Sequence, residues 1–517
     1  MILGFRLLLV VTYPINLMIA DGKNYLRMLI KGTSDLIHAP GYPFIMGLPW
    51  RNPLGWALSS SFPTIFERLL CASQHAINVG CLYLGYRTVR EIFGTAPATL
   101  FVLFYGMHFH VFTATSSVAP EWLQGSLVMV IGFLLLKAWK ADQLSWKIGY
   151  YGVIGFVACM CFLVKFNSIA LLTLPACAMT ADFFRSRRSV VAPVFGALVL
   201  AGSYALFVVA FHLPSTGTTI ITLDKAWILL ERLAFFAPGR TLSPETGIQT
   251  ARLLAFNAVL PWPERQGPIA RIDSVPLSVR EPFRKRYNYI FSADQMTLDG
   301  LLRDVTIPKP YPFSSAYLPI ANSIGLEESN RLGKLVYFEH IRAYPRLFLK
   351  SIRDLTIRTI MKPKRLWLYP IRLQDDEFSR LRWGFGRLNN GVGDGRHQFY
   401  RYRDPVVWIP GVRLATFHFD LLQFPPLWVS ILIAVGVFGA LFRLWQERVP
   451  DLGVLTFLAS TLTVVLYVIF SNTVYHFRWK EVHPILPILC MLTAVVLVEL
   501  ADAIVPDQST SVISRKE

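Results

Sequence analysis

The sequence predicts an all-α polytopic membrane protein with about ten transmembrane helices, and three observations carry that prediction. Of 517 residues, 53% are hydrophobic and only 16% charged. The mean hydropathy is +0.44, well above that of a soluble domain of this size. Apolar runs near 20 residues recur toward both ends of the chain, each long enough to cross a hydrocarbon core about 30 Å thick as a helix. A β-barrel would instead show short segments of alternating polarity.

The first run, Ile2 to Ala20, contains only Arg6 as a basic residue and no small-residue cleavage site, so a retained helix is expected. Further runs lie near Leu69 to Tyr86, Ala98 to Thr115, Trp122 to Leu136, Ile148 to Val164, Ser168 to Phe183 and Val190 to Leu213. Three more follow near Pro426 to Leu444, Leu452 to Tyr475 and Pro484 to Val505. This divides the chain into a seven-helix module over 1–213, a long loop over 214–424 and a three-helix set with a short tail over 425–517.

Basic residues in the short connections give the orientation. Arg87 and Arg90, Lys137, Lys140 and Lys147, Arg185, Arg187 and Arg188, and Arg443 and Arg448 fall on one side, which the positive-inside rule makes cytoplasmic. The opposite side then receives the loop 21–68, the turns at Glu121 and Lys165, the long loop 214–424 and the segment His476 to His483. The formal charge of +18 also suggests nucleic acid, but no nucleic-acid motif accompanies it, and basic flanks are expected of membrane spans. All six cysteines fall inside predicted spans, where thiols pack as small apolar groups, so no disulfide framework is expected.

The long loop is rich in Pro, Arg and aromatic residues and is too long for a bare connector. Within it, HIRAYPRLFLKSIRDLTIRTI from His340 places Ile341, Phe348, Leu349, Ile352 and Leu355 on one helical face, with Arg346, Lys350, Arg353 and Asp354 around the other. That pattern predicts a basic amphipathic helix on the membrane surface. The unequal layout, with no internal repeat, argues against the paired halves common in secondary transporters.

The first outer loop, DGKNYLRMLIKGTSDLIHAPGYPFIMGLPW from Asp21, concentrates groups able to do chemistry. Asp21 stands at the mouth of the first span, Tyr25 follows one turn later, and His38, Pro40, Gly41, Tyr42 and Pro43 make a rigid aromatic turn. Elsewhere, SSVAPEWLQGSL places Glu121 at a helix start, FLVKFNSIALLTLP places Lys165 between two spans, and HFRWKEVHPILPIL begins the last span.

Together these stretches resemble the bacterial GT-C glycosyltransferases, relatives of the protein O-mannosyltransferases and aminoarabinose transferases. The resemblance implies a GT-C-type fold: a seven-helix module carrying the site, a first outer loop with amphipathic helices, and a long outer loop between helices seven and eight. It also implies an inverting transfer of a sugar from a polyprenyl-phosphate donor to a glycan, lipid or protein acceptor, on the periplasmic side of a bacterial inner membrane.

For that reaction Asp21 is the candidate general base and Glu121 the second candidate catalytic residue, orienting the acceptor, holding Asp21 or sharing a cation with it. Glu121 could equally be a helix N-terminal acid favoured by the macrodipole. Arg478, Lys480, Lys165, His212 and His483 are candidates for steadying the departing phosphate, with Arg478 the strongest because its guanidinium can grip two oxygens. Tyr25, His38 and Tyr42 complete the substrate-binding candidates. The chemistry requires no cofactor, and a divalent metal stays open, although Asp21 has no second acid beside it. Two other classes compete: a transporter, with buried polar groups such as Gln74 and Asn78 lining a path, and a polymerase or ligase of lipid-linked glycans.

Overall fold

The computed structural model describes residues 22–34, 39–61, 63–108, 120–185, 190–217, 344–361, 426–446, 451–474 and 484–504, and between them residues 2, 4, 6, 111, 114–116, 118, 219, 334, 337, 338, 341, 342 and 482. Among the described residues every regular element is a helix. The chain divides into two units, one of Met1–Thr219, Thr359–Val468 and Arg478–Glu517, the other of Ile220–Arg358 and Ile469–Phe477.

In the larger unit, α1 (Gly22–Lys31), α2 (Gly41–Gly47) and α3 (Pro53–Ser61) precede the long helices α4 (Pro63–Phe93), α5 (Thr95–Gly106), α6 (Glu121–Lys140) and α7 (Leu144–Val164). A 3₁₀ segment (Phe166–Leu172) leads into α8 (Thr173–Arg185), and α9 (Val191–Phe207) continues through a π turn (Val208–His212) to Thr216. Among the described residues five helices are long and apolar enough to cross a membrane: Glu121–Lys140, Leu144–Val164, Val191–Thr216, Leu452–Thr473 and Leu486–Ile504. They make this a helical membrane protein. Thr95–Gly106, Ser168–Thr180 and Ser430–Gln446 are apolar but shorter. All but three residues of the expected first span, and most of the expected long loop, lie outside the described residues.

Two expected boundaries shift for identifiable reasons. The run Ala98 to Thr115 is not one helix, because α5 stops at Gly106 and His108 lies beyond its end. In an apolar surrounding the last carbonyls of a helix need donors from elsewhere. Arg6, fully buried, supplies them: Nε donates to Gly106 O at 3.0 Å and Nη2 to Tyr105 O at 3.5 Å. Its Nη1 donates to Asn78 Oδ1, and Asn78 Nδ2 donates in turn to the hydroxyls of Tyr105 at 3.1 Å and Ser126 at 2.8 Å. Helix α4, by contrast, overruns its apolar stretch of Leu69 to Tyr86 at both ends. At its far end Glu91 accepts Lys140 at 2.9 Å and faces Arg87 and Lys137 at 3.4 and 3.5 Å.

Helices α7 and α9 pack backbone to backbone. A Cβ on Gly155 would stand 2.0 Å from Gly196 O, and one on Gly196 would stand 2.6 Å from Tyr151 O. Close approach through small residues is how helices associate where lipid removes the hydrophobic incentive. All six cysteines are free thiols.

In the smaller unit, Tyr337 donates from its hydroxyl to Thr473 O at 2.6 Å and sets its ring edge-on to Phe348, 6.3 Å away. Helix α10 (Pro345–Met361) is amphipathic. Phe348, Ser351 and Leu355 face inward, whereas Leu349 is 63% exposed beside Arg346, Lys350 and Arg353. Ser351 can occupy the buried edge because it returns its hydrogen bond to Phe348 O at 2.7 Å.

Candidate functional site

The described candidate residues gather around α2, the seven-residue helix of the HAPGYPF stretch. Gly41 opens that helix and lies directly on the end of α7: a Cβ there would stand 2.5 Å from both Leu163 C and Val164 N. Only glycine lets the loop helix seat this deeply, and the seat brings Tyr42 beside the start of α6 and Lys165 just past the end of α7.

Tyr42 is fully buried. Its hydroxyl donates to Gln74 Oε1 at 2.5 Å, the same oxygen accepts Trp122 Nε1 at 3.2 Å, and Gln74 Nε2 donates to Thr115 O at 2.9 Å. The Tyr42 ring stands edge-on to Tyr25, 5.7 Å away, and to Trp122, 6.4 Å away, an arrangement favoured by the ring quadrupoles. Burial, and secondarily the neighbouring Cys71 and Glu121, hold the Tyr42 phenol well above its usual range, so it is a fixed donor and not a base. Met28, Leu29, Met46, Phe66 and Leu70 fill the space behind it.

Glu121, 4% exposed, opens α6 directly after Pro120, where the helix N-terminus favours a carboxylate. Lys165 Nζ meets Glu121 Oε1 at 3.2 Å. Lys165 occupies an extended break, φ −164° and ψ 130°, between α7 and the 3₁₀ segment. Gln124 secures that break, donating from Nε2 to Lys165 O at 3.3 Å and to Ser168 Oγ. The lysine expected to steady a phosphate is thus already in contact with a carboxylate.

His212 closes the π turn and is fully buried. Its Nδ1 lies 2.8 Å from Ser34 Oγ. Beside it, Phe44, Phe207 and Phe211 form an aromatic set with centroid separations of 5.1 to 5.2 Å. Helix α2 therefore turns Tyr42 toward Gln74 and Trp122, and Phe44 toward the π turn. Asp21, His38, Arg478, Lys480 and His483 lie outside the described residues.

Gln74, Trp122, Gln124 and Ser34 complete this arrangement; of these the sequence singled out only Gln74, as a lining of a transport path and not as part of a catalytic site. Trp122 and Gln124 adjoin Glu121 in a helix pattern that predicts packing alone, and Ser34 carries no sequence signal. Among the described residues, no three His, Cys, Asp or Glu side chains gather in a metal-binding group. A cavity of about 330 Å³ lies toward the opposite ends of α4 and α6, lined by residues such as Gly85, Met129, Gly132 and Leu136, with no charged side chain in its wall. It offers no acid, base or cation for chemistry. Comparison with protein-family models, curated proteins and solved structures found no match.

Proposed function

We propose that the protein is an inverting glycosyltransferase that moves a sugar from a polyprenyl-phosphate donor to an acceptor hydroxyl at the outer face of a bacterial inner membrane. The observation that carries this reading is the convergence of Tyr25 and Tyr42, both within the loop that begins with Asp21, with Glu121 at the start of α6 and Lys165 just past the end of α7. Such a convergence of an acid, a cation and hydrogen-bond donors is suited to transfer, whereas Gln74 and Asn78, which a transport path would leave facing water, are buried in hydrogen bonds to protein.

In this reaction Asp21 takes the proton of an acceptor hydroxyl while that oxygen attacks the anomeric carbon. The bond from the anomeric carbon to the phosphate oxygen breaks on the opposite face, configuration inverts, and the polyprenyl phosphate leaves as the anion. Glu121, held by Lys165, orients the acceptor, and Arg478 and Lys480 face the departing phosphate. The same helix that opens with Glu121 closes with Lys137 and Lys140, so the basic end is the cytoplasmic one and the Glu121 end faces out. About ten spans, with loops 21–68 and 214–424 on the outer side, complete the proposed topology.

The test is mass spectrometry of lipid-linked and surface glycans from cells with the wild-type gene, without it, and with Asp21→Asn. Loss of one glycan species, with accumulation of its polyprenyl-phosphate precursor, is expected in the last two. Identical glycan profiles in all three would end this reading.

A further inference from the structure

Arg51 follows the 3₁₀ turn Leu48–Trp50 and is clamped by aromatic rings from two elements: its Cζ lies 5.6 Å from the centroid of Phe44 and 5.4 Å from that of Phe211. Two glycines make its bed. A Cβ on Gly47 would stand 2.9 Å from both Arg51 Nε and Nη2, and one on Gly32, which has φ +66°, would stand 3.2 Å from Nε. The guanidinium is therefore held in one place and one plane, as ring stacking favours.

Its hydrogen bonds are far fewer than its five N–H groups. Nη2 donates to Pro43 O at 2.9 Å, Nε is buried with no acceptor, and Nη1 makes no bond and is not buried. No carboxylate among the described residues pairs with it. A half-buried cation with a stranded N–H and no counter-charge among the described residues is costly unless something else supplies the charge. Glycines and rings that fix this side chain, while leaving one edge open, have the form of an anion receptor.

We infer that Arg51 is an anion-binding residue whose open Nη1 edge receives the phosphate of a membrane lipid. The identification of that lipid as the sugar donor or its polyprenyl-phosphate product rests on the proposed transfer reaction. The site itself does not. Arg51 then acts in ground-state capture of the phosphate, from the first loop, in addition to any group that faces it from the C-terminal segment.

The experiment uses the purified full-length protein in a phosphate-free maltoside detergent, with three probes: a short-chain polyprenyl phosphate, the matching polyprenol and a phosphatidic acid. Wild type should bind the polyprenyl phosphate more tightly than the alcohol. Arg51→Met should weaken phosphate binding about 10- to 100-fold, as expected for a charged hydrogen bond, and leave polyprenol binding unchanged. Arg51→Lys, which keeps charge and stem, should lose roughly half of that effect on a logarithmic scale, and it preserves the comparison if Arg51→Met is unstable.

Arg51-dependent binding of phosphatidic acid alone would support the anion site while removing the transfer reading. Polyprenyl phosphate binding that is tight and unchanged in both variants would overturn the role of Arg51 and leave that reading intact. A wild-type protein that binds neither phosphate better than the alcohol would also overturn it.

Discussion

Lys165 Nζ and Glu121 Oε1 meet at 3.2 Å across a gap of 44 residues, joining the end of α7 to the start of α6, the helix before it. The pair is largely shielded, with side chains 18% and 6% exposed, so each charge is the other's near neighbour in a poorly solvated setting. Removing one partner from a buried pair typically costs about 3–5 kcal/mol, because the other is left uncompensated. Glu121→Gln and Lys165→Met should therefore each lower thermal stability, and the double variant should lose much less than their sum. A double-mutant cycle on detergent-solubilised protein gives the coupling, and additive losses would show that the two charges do not support each other.

Gly41 sets how closely the first loop approaches α7. Gly41→Ala places a methyl group against the Leu163–Val164 peptide, which is backbone and cannot rotate aside. Overpacking of this kind costs about 1–3 kcal/mol, and α2 should lift from its seat, taking Tyr42 away from Gln74. The expected result is a lower melting temperature together with reduced turnover. Unchanged stability would mean that α2 does not sit on the helix end as described.

The α7–α9 contact gives a control remote from the candidate site. Gly155→Ala or Gly196→Ala forces apart two backbones in close contact and should destabilise by a similar amount. Protein that remains folded should bind the lipid donor with near-wild-type affinity. Normal stability in both variants would contradict the close crossing.

The five long apolar helices were legible because membrane crossing requires only length and uniform apolarity, and both are local properties of sequence. The end of α5 was not. Its apolar pattern runs on past Gly106, and the donor that satisfies the carbonyls at its end is Arg6, 100 positions away in sequence. The protein contact of α10 was not legible either: periodicity finds an amphipathic face, but no local pattern reveals that Tyr337 packs against Phe348. Glu121, Lys165, Tyr25 and Tyr42 were each visible as unusual residues in their own stretches. Their convergence was not, since it depends on Gly41 seating against α7.

At the other end of α4, Lys140 as hydrogen-bond donor, with Lys137 and Arg87 adding charge, holds the Glu91 carboxyl below its ordinary value. A lowered folded-state value means that the stabilisation is present above the unfolded carboxylate range and is lost as pH falls through the folded value. Wild type should therefore lose melting temperature on acidification below about pH 4.5, more steeply than Glu91→Gln. Parallel melting curves for the two proteins across that window would exclude Glu91 as a contributor.

Asp21 immediately precedes α1, whose Tyr25, Met28 and Leu29 are buried beside Tyr42. Asp21 itself lies outside the described residues, and its proposed role as base rests on its place in the sequence at the mouth of the first span. A positioned general base contributes about 10²- to 10⁴-fold in rate. Asp21→Asn keeps the size and much of the hydrogen-bonding capacity of the side chain but cannot take a proton at neutral pH. The variant should fold with wild-type stability and bind a polyprenyl-phosphate sugar normally, yet turn over more slowly by roughly that factor. Glu121→Gln is the matched comparison: it should lose stability through Lys165 and show a smaller rate defect once corrected for the folded fraction. A stable Asp21→Asn protein with near-normal turnover would remove Asp21 from the chemistry, and a Glu121→Gln protein that is folded but inactive would move the base to Glu121.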